Sequence, residues 1–588
     1  MRWTKIIFSK KSGLLFITAY VLLLLPVFIV SREFSVKGTE PLLLASLALT
    51  INLLLYKNQK NYVMCFATVI GVFLSVLYIA FKGANTIAVN SISSYIAFCT
   101  VLACTIIMLS EHLKRFKNKS PMLIAGLLFF TLTILTLPLV VVGNYYILTG
   151  TWFGSDAIMA VLQTNQSETI DYLAACLDFK NYFFTITMFA VIFYLIRFLL
   201  RIKLHKSRGV GVWLLILAVI VNASLLYKFR ITNLTKPFED AQMALKEYEL
   251  FEENLKIRKS NISESTLELK SSSATGVYVL VIGESQNKKH MSAYGYARPT
   301  TPWLQSMVGS NNFVLFGNAY SCHTHTAQAL TYALSAKNQY NDGNIATALS
   351  LLEVAGVYGY DTVWISNQAK YGIYDTPITT IANSANQQYW YSTNYSSDYK
   401  SKVHDLNLNY GLDTMQVSDK MLIVIHLMGS HGDYKDRYPK EFRQYKGSGV
   451  QDIYDNSILY NDFVMQSIYN KVKQLPNFQA MIYFADHSED VERNLGHDSS
   501  RFTADMTRIP MYTLFSDRYI DSYPDKVRNL KVNKDKPFTN DLIFDYVLGM
   551  LDIKERKVYE PDNDITGGKY DGNAERFRTM WGKRKLEY

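Results

Sequence analysis

Two patterns of hydrophobic and polar positions divide the chain. Up to about residue 230, apolar residues continue without a polar face through stretches at 13–31, 41–56, 62–81, 92–110, 121–142, 182–200 and 210–227. A helix needs about 20 such residues to cross a hydrocarbon core. The pattern therefore predicts seven apolar segments, the second short enough to be tilted or re-entrant. The first is long and has no small-x-small cleavage site before Ser31-Arg32, so it reads as an uncleaved anchor. Residues 151–181, between the fifth and sixth runs, are amphipathic and suit a helix lying on a membrane surface. From Gly276 the pattern changes to short apolar runs that end in polar residues: VYVLVIGES, TVWISNQ, MLIVIHLMGSHG and AMIYFADHSE. Such β-rich runs suit parallel strands buried on both faces, with helices such as NIATALSLLEVAG between them. The predicted organisation is a transmembrane helical domain over 1–230 and an amphipathic linker over 231–275. An α/β domain over 276–552 follows, with a mainly parallel central sheet and helices on both faces, and then a polar C-terminal tail over 553–588 without an assigned role.

Charge adds orientation. The 588 residues carry a net charge of +10. With a cytoplasmic N-terminus and seven crossings, fifteen basic residues fall in inside segments and four, Arg32, Lys37, Lys82 and Lys180, in outside loops. The positive-inside rule then puts everything after about residue 228 outside. The basic balance suits an anionic membrane; no Gly-rich, Arg-rich or stacking module points to nucleic acid. Cys322 is the one cysteine of the soluble half, beside Cys65, Cys99, Cys104 and Cys176 in the first half. No disulfide can form within the soluble domain, and no Cys-x-x-Cys pair exists.

The polar strand ends carry the candidate chemistry, because ligands of open α/β sheets bind beyond the carboxyl ends of strands. Glu284 follows one run, Asp486-His487 another, His426 and His431 close a third, and His497 lies shortly after. Taken singly, each has a structural explanation as a cap, a surface charge or a core histidine. Two carboxylates and an imidazole together are apt zinc ligands, with one position left open. The nucleophile candidates lie in SCHTHTAQAL, where Thr324 or Thr326 opens a helical pattern. A threonine there is a helix cap in the bland reading. In the sharper one it attacks phosphorus, activated by the metal and aided by the helix N-terminus.

In this order, IGESQNKKHMSAYGYARPTTPWL, SCHTHTAQAL, HLMGSHGDYKDRYP, YDNSILYND and FADHSED resemble the phosphoethanolamine transferases of Gram-negative bacteria, members of the alkaline phosphatase/sulfatase superfamily. The likeness covers about 276–515 and extends weakly into the first half. It implies Glu284, Thr324, Asp486 and His487 as ligands of one tightly held Zn²⁺, with Thr324 the nucleophile and Thr326 the alternative. It implies His431 and His497 beside the transferring phosphate, as proton donors or ligands of a second ion during turnover. Gln368, Glu168 and His426 are assigned to substrate binding.

The resemblance further implies an inner-membrane, monomeric enzyme with a periplasmic catalytic domain. It would move phosphoethanolamine from phosphatidylethanolamine to lipopolysaccharide, at lipid A or a core sugar, and release diacylglycerol. A periplasmic glucan acceptor and a membrane phosphoglycerol transferase are the alternatives. A tethered phosphatase or sulfatase is disfavoured, since Cys322 precedes HTHT rather than a C/S-x-P-x-R motif. The departures are His323 where relatives carry a small residue, Ala160 in place of a membrane-side Asn, the missing disulfides, and seven apolar runs against the usual five spans.

Overall fold

The computed structural model describes residues 10–31, 40–81, 89–114, 121–149, 158, 178–204, 220, 242, 246, 249–250, 253–254, 274–369, 377–392, 403–554 and 557–588. The chain divides into two compact units, Met1–Met159 with Tyr172–Gln242, and Ala160–Asp171 with Met243–Tyr588.

Helices coincide with six of the seven apolar runs: α1 (Lys10–Ser31), α2 (Glu40–Leu55), α3 (Gln59–Phe81), α4 (Val89–Leu113), α5 (Pro121–Thr149) and α6 (Phe179–Arg201). The run at 210–227 lies outside the described residues apart from Ile220, and so does most of the amphipathic segment 151–181, Glu168 included. Among the described residues, α6 is the helix with both the length and the mean hydropathy, 2.2, to cross a bilayer; shorter apolar stretches span Leu14–Leu24, Pro41–Leu55 and Ile96–His112. Inside this unit Ser46 and Thr100 satisfy their hydroxyls locally by donating to the carbonyls four residues earlier. Asn181 Nδ2 donates to Asn144 O at 3.0 Å, tying α6 to α5 through polar groups that an apolar surround makes expensive to leave unpaired.

The second unit is built on a seven-stranded sheet in the order β2-β8-β7-β1-β6-β4-β5. Its strands are β1 (Gly276–Gly283), β2 (Phe313–Leu315), β4 (Asp361–Ala369), β5 (Gln387–Ser392), β6 (Lys420–His426), β7 (Phe478–Ala485) and β8 (Met511–Phe515); a separate short β3 (Ala319–Tyr320) pairs with β9 (Phe538–Thr539). β1 pairs in parallel with β6 and β7, β4 in parallel with β5 and β6, and β8 runs antiparallel to β7 and β2. The mainly parallel sheet expected from the continuous apolar runs is therefore present, with β8 reversed. Alternation along β1 separates two cores. Tyr278, Leu280 and Ile282 face one, with Leu330, Leu351 and Phe544, while Val277, Val279 and Val281 face the other, with Leu412, Val464 and Ile468. A parallel sheet buried on both faces aligns its strand ends at one edge, and that edge receives the site.

The helices that matter for the site and its support are α7 (Pro302–Met307), α8 (Thr326–Ala333) and the long α9 (Val450–Val472). Asp462 of α9 caps α7 from across the core, accepting from Trp303 N at 2.8 Å and Leu304 N at 3.0 Å. Burial pushes its carboxyl up to about 7, against the pull of those two amides. The folded chain thus keeps a proton that the unfolded chain releases near pH 4, and stability falls as pH rises from about 4 to 7. Asp462→Asn removes that dependence. Over the same window its unfolding free energy is expected to gain on wild type by up to about 4 kcal/mol, at 1.36 per pK unit. Denaturant unfolding at pH 4, 5.5 and 7.5 checks this; a constant gap between the two proteins would refute it.

Candidate metal and nucleophile site at the strand ends

Two loops leave the sheet side by side after β1 and β7 and close on each other. Asp486 N donates to Gly283 O at 2.9 Å, and Gln286 N donates to His487 O at 3.1 Å. Ser285 N donates to Asp486 Oδ1 at 3.1 Å, with Ser285 held at φ 57 in the left-handed region. Glycine is required twice here. A Cβ on Gly283 would lie 2.0 Å from the Tyr483 hydroxyl, and one on Gly429 (φ +52) would meet Glu284 O at 2.5 Å. The loop after β6 is pinned by Asp405, which accepts from Met428 N at 2.9 Å and Gly429 N at 2.8 Å.

This packing brings Glu284, Asp486 and His487 together at 0 % exposure, with their ligand atoms within 4.8 Å of one another. His487 Nε2 lies 3.2 Å from Glu284 Oε1 and 3.4 Å from Asp486 Oδ2. His487 Nδ1 faces Ser488 O at 3.2 Å, which leaves Nε2 toward the acids. Burial opposes ionisation of both acids. A hydrogen bond and charge from His487 nevertheless hold Glu284 well below its ordinary range, while burial and the Glu284 charge push Asp486 well above. Burial lowers the His487 imidazole, but the two acids outweigh it and raise it to about 10. A dry pocket with two carboxylates that draw a proton onto the neighbouring imidazole is a pocket that calls for a cation. Asp486 Oδ2 is buried without a hydrogen-bond partner, so one hard donor atom is unsatisfied.

The hydroxyl at this cluster belongs to Thr326, first residue of α8. Its Oγ1 donates to Glu284 Oε2 at 3.1 Å and lies 3.3 Å from His487 Nε2. Thr324, the first-choice nucleophile of the sequence reading, is buried at 0 % exposure, and its Oγ1 has no hydrogen-bond partner. The helix starts at Thr326, the alternative nucleophile of the sequence reading, and it is that residue which the fold sets beside the acids.

His497 stands near, its ring 4.4 Å from that of His487 and its Nδ1 2.7 Å from Glu489 Oε1. The His431 ring is 6.3 Å from His497. His426 ends β6, the strand beside β1. It is 3 % exposed and packs edge-on to Trp364 at 5.9 Å, and burial lowers it to about 4 against the pull of the Glu284 charge. Gln368 Nε2 donates to Leu427 O at 2.9 Å and approaches Glu284 Oε2 at 3.4 Å, so it braces a proposed ligand. Sequence reasoning missed Glu489, which with His487 and His497 forms a second group able to hold an ion. Its position two residues after His487, within FADHSED, was the available signal. It also missed His325, whose ring lies 5.5 Å from His497 and whose Nε2 lies 3.1 Å from Ser499 Oγ.

Residues 277–551 match the Sulfatase family. Fold, strand-end cluster and match together define a sulfatase domain of the alkaline phosphatase superfamily. Phosphoethanolamine transferase EptC of Escherichia coli (strain K12) is 25 % identical over 467 residues, 73 % of this chain and 78 % of that one. Phosphoethanolamine transferase EptA of Helicobacter pylori is 28 % identical over 316 residues, 49 % of this chain and 56 % of that one. The chain is a transferase enzyme related to the phosphoethanolamine transferases. Among solved structures, the integral membrane phosphoethanolamine transferase EptA of Neisseria meningitidis shares its fold, with a TM-score of 0.53 at 19 % identity over 89 % of this chain and 97 % of that one. The periplasmic domain of E. coli EptC, solved as a complex with Zn, matches 52 % of this chain and 89 % of that one with a TM-score of 0.47 at 26 % identity.

Proposed function

We propose that this protein transfers phosphoethanolamine from phosphatidylethanolamine to an envelope glycolipid, lipopolysaccharide lipid A or a core sugar, through a phosphorylated Thr326. The observation that carries the proposal is the Thr326 hydroxyl within hydrogen-bond distance of both Glu284 and His487, at the buried cluster. Glu284, Asp486 and His487, with Thr326, are the residues to hold a Zn²⁺. The ion, when bound, supplies Lewis-acid chemistry that lowers the hydroxyl's pKa and offsets charge developing on the phosphoryl oxygens.

The chain's own residues do the rest. Thr326 Oγ attacks phosphorus as its proton passes to the Glu284 carboxylate that accepts its hydrogen bond; a P–O bond forms, and the bond from phosphorus to the diacylglycerol oxygen breaks. Diacylglycerol leaves with a proton, for which His497 and His431 are the candidates, since they stand beside His487. In the return half-reaction a hydroxyl or phosphate oxygen of the acceptor attacks phosphorus and regenerates Thr326. The exposed amides at the start of α8 favour the anionic group there. The apolar helices of the first unit, α6 above all, anchor the enzyme in the inner membrane with the catalytic domain in the periplasm, in line with the fifteen-to-four charge bias. Five or seven crossings keep the catalytic domain on the side opposite a cytoplasmic N-terminus, whereas six would reverse it.

The test uses the full chain in detergent with donor lipid labelled in its ethanolamine. Label is expected on the peptide containing Thr326, with equimolar diacylglycerol release and later transfer to added lipid A. Release from phosphatidylglycerol in preference to phosphatidylethanolamine would replace this reading with phosphoglycerol transfer.

A further inference from the structure

We propose that the segment 577–588 is a strap that holds the nucleophile loop in place, with Thr579 and Trp581 as positioning residues. The inference rests on the reading of Thr326 as the nucleophile. The segment lies beyond the residues that match the sulfatase family, 277–551, and its polar composition suggested no role.

Its contacts fall on the turn that leads to Thr326. Thr579 Oγ1 donates to Ser321 O at 2.8 Å, and Trp581 N donates to Cys322 O at 3.1 Å. The Trp581 ring lies 5.0 Å from His323 and stacks at 5.4 Å on Tyr332, a residue of the helix that Thr326 opens. Farther along, Arg508 Nη2 donates to Glu587 O at 3.2 Å, and Tyr588 meets the Tyr320 ring edge-on at 5.9 Å.

The strap is bent into an unfavourable shape and then secured. Met580, Trp581 and Gly582 take φ values of 53, 54 and 82, two of them without glycine's freedom. Gly582 N donates to Gln339 Oε1 at 2.8 Å, and Gln339 Nε2 donates to Arg578 O at 3.1 Å, so one side chain clamps the bend from both sides. Strain of this kind persists only where surrounding contacts over-determine it.

The loop needs such a grip because nothing covalent fixes it: Cys322 is buried and free. Opposite the strap, Asn540 accepts from Cys322 N at 2.8 Å and donates to Asp486 O at 2.6 Å. The turn before Thr326 is therefore held between the backbone of the Asp486-His487 loop and the strap. Releasing the strap frees one of these two sides, and a reacting hydroxyl displaced by about 1 Å costs on the order of a hundredfold in rate.

The full chain in detergent is compared with Thr579→Val, which removes one hydroxyl at constant shape, with Thr579→Ser, and with Gln339→Ala, which unclamps the bend from outside the loop. Thr579→Val and Gln339→Ala are expected to lower kcat for donor cleavage roughly tenfold or more, with KM, zinc content and Tm held. Thr579→Ser restores the rate. Amide exchange in peptides covering 319–326 speeds up in the two weakened variants. Wild-type kcat and exchange in both would overturn the strap, as would a rate loss that follows zinc or Tm loss. If wild type cleaves no phosphatidylethanolamine, the functional reading falls, and amide exchange decides the strap alone: acceleration supports it, no change refutes it.

Discussion

Thr326→Ala is expected to lower donor cleavage and transfer by about a thousandfold or more, the scale on which enzymes lose a covalent nucleophile, while Thr324→Val stays within a few-fold of wild type. The two threonines are two residues apart and both come near the start of a helix, so composition alone treats them alike. Their surroundings do not. Thr326 Oγ1 is shared between a carboxylate oxygen and an imidazole nitrogen of the acid cluster. Thr324 Oγ1 is enclosed at 0 % exposure without a hydrogen bond, so a methyl in its place removes an unpaired buried dipole and gives up no contact. Rapid-quench measurement of diacylglycerol release separates the two variants, and mass spectrometry of trapped enzyme locates the label. Label on Thr324, or an active Thr326→Ala protein, would overturn the assignment.

What was legible in the sequence had a short-range cause. The strands were readable because residues buried on both faces of a parallel sheet must be apolar throughout, and the acids stood out because they interrupt that rule at the strand ends. Glu284, Asp486 and His487 were found this way, and the fold unites them as expected. Thr326 over Thr324 was not readable, because the choice depends on which residue begins α8 and how that helix meets loops some 40 and 160 positions away in sequence. That Trp364, on the neighbouring strand, packs edge-on against His426 at the end of β6 was not readable for the same reason. The tail carried no pattern, since its contacts to Ser321 and Cys322 run through backbone carbonyls, which have no residue code.

Glu284→Gln separates what the acid cluster does for chemistry from what it does for the fold. The side chain keeps its size but loses its charge and one anionic donor, so zinc content after dialysis against low zinc is expected to fall from near one to near zero. Donor cleavage should fall by about a thousandfold or more with it. The fold should weaken as well, for a separate reason. In wild type without metal, burial and the neighbouring Glu284 charge hold Asp486 well above its ordinary range, and the two acids draw a proton onto His487. Glu284, held well below its ordinary range by His487 despite burial, is the charged partner of that imidazolium, so with chelator present the variant's Tm should fall below wild type's. With zinc added the gap widens, because an ion that binds only the folded chain adds about 2.7 kcal/mol at a hundredfold excess over its Kd, and only wild type receives it. Two thermal scans for each protein, with zinc and with chelator, give the four values needed. A variant that retains zinc, or a wild type whose Tm ignores it, would show that Glu284, Asp486 and His487 are paired for the fold and not for an ion.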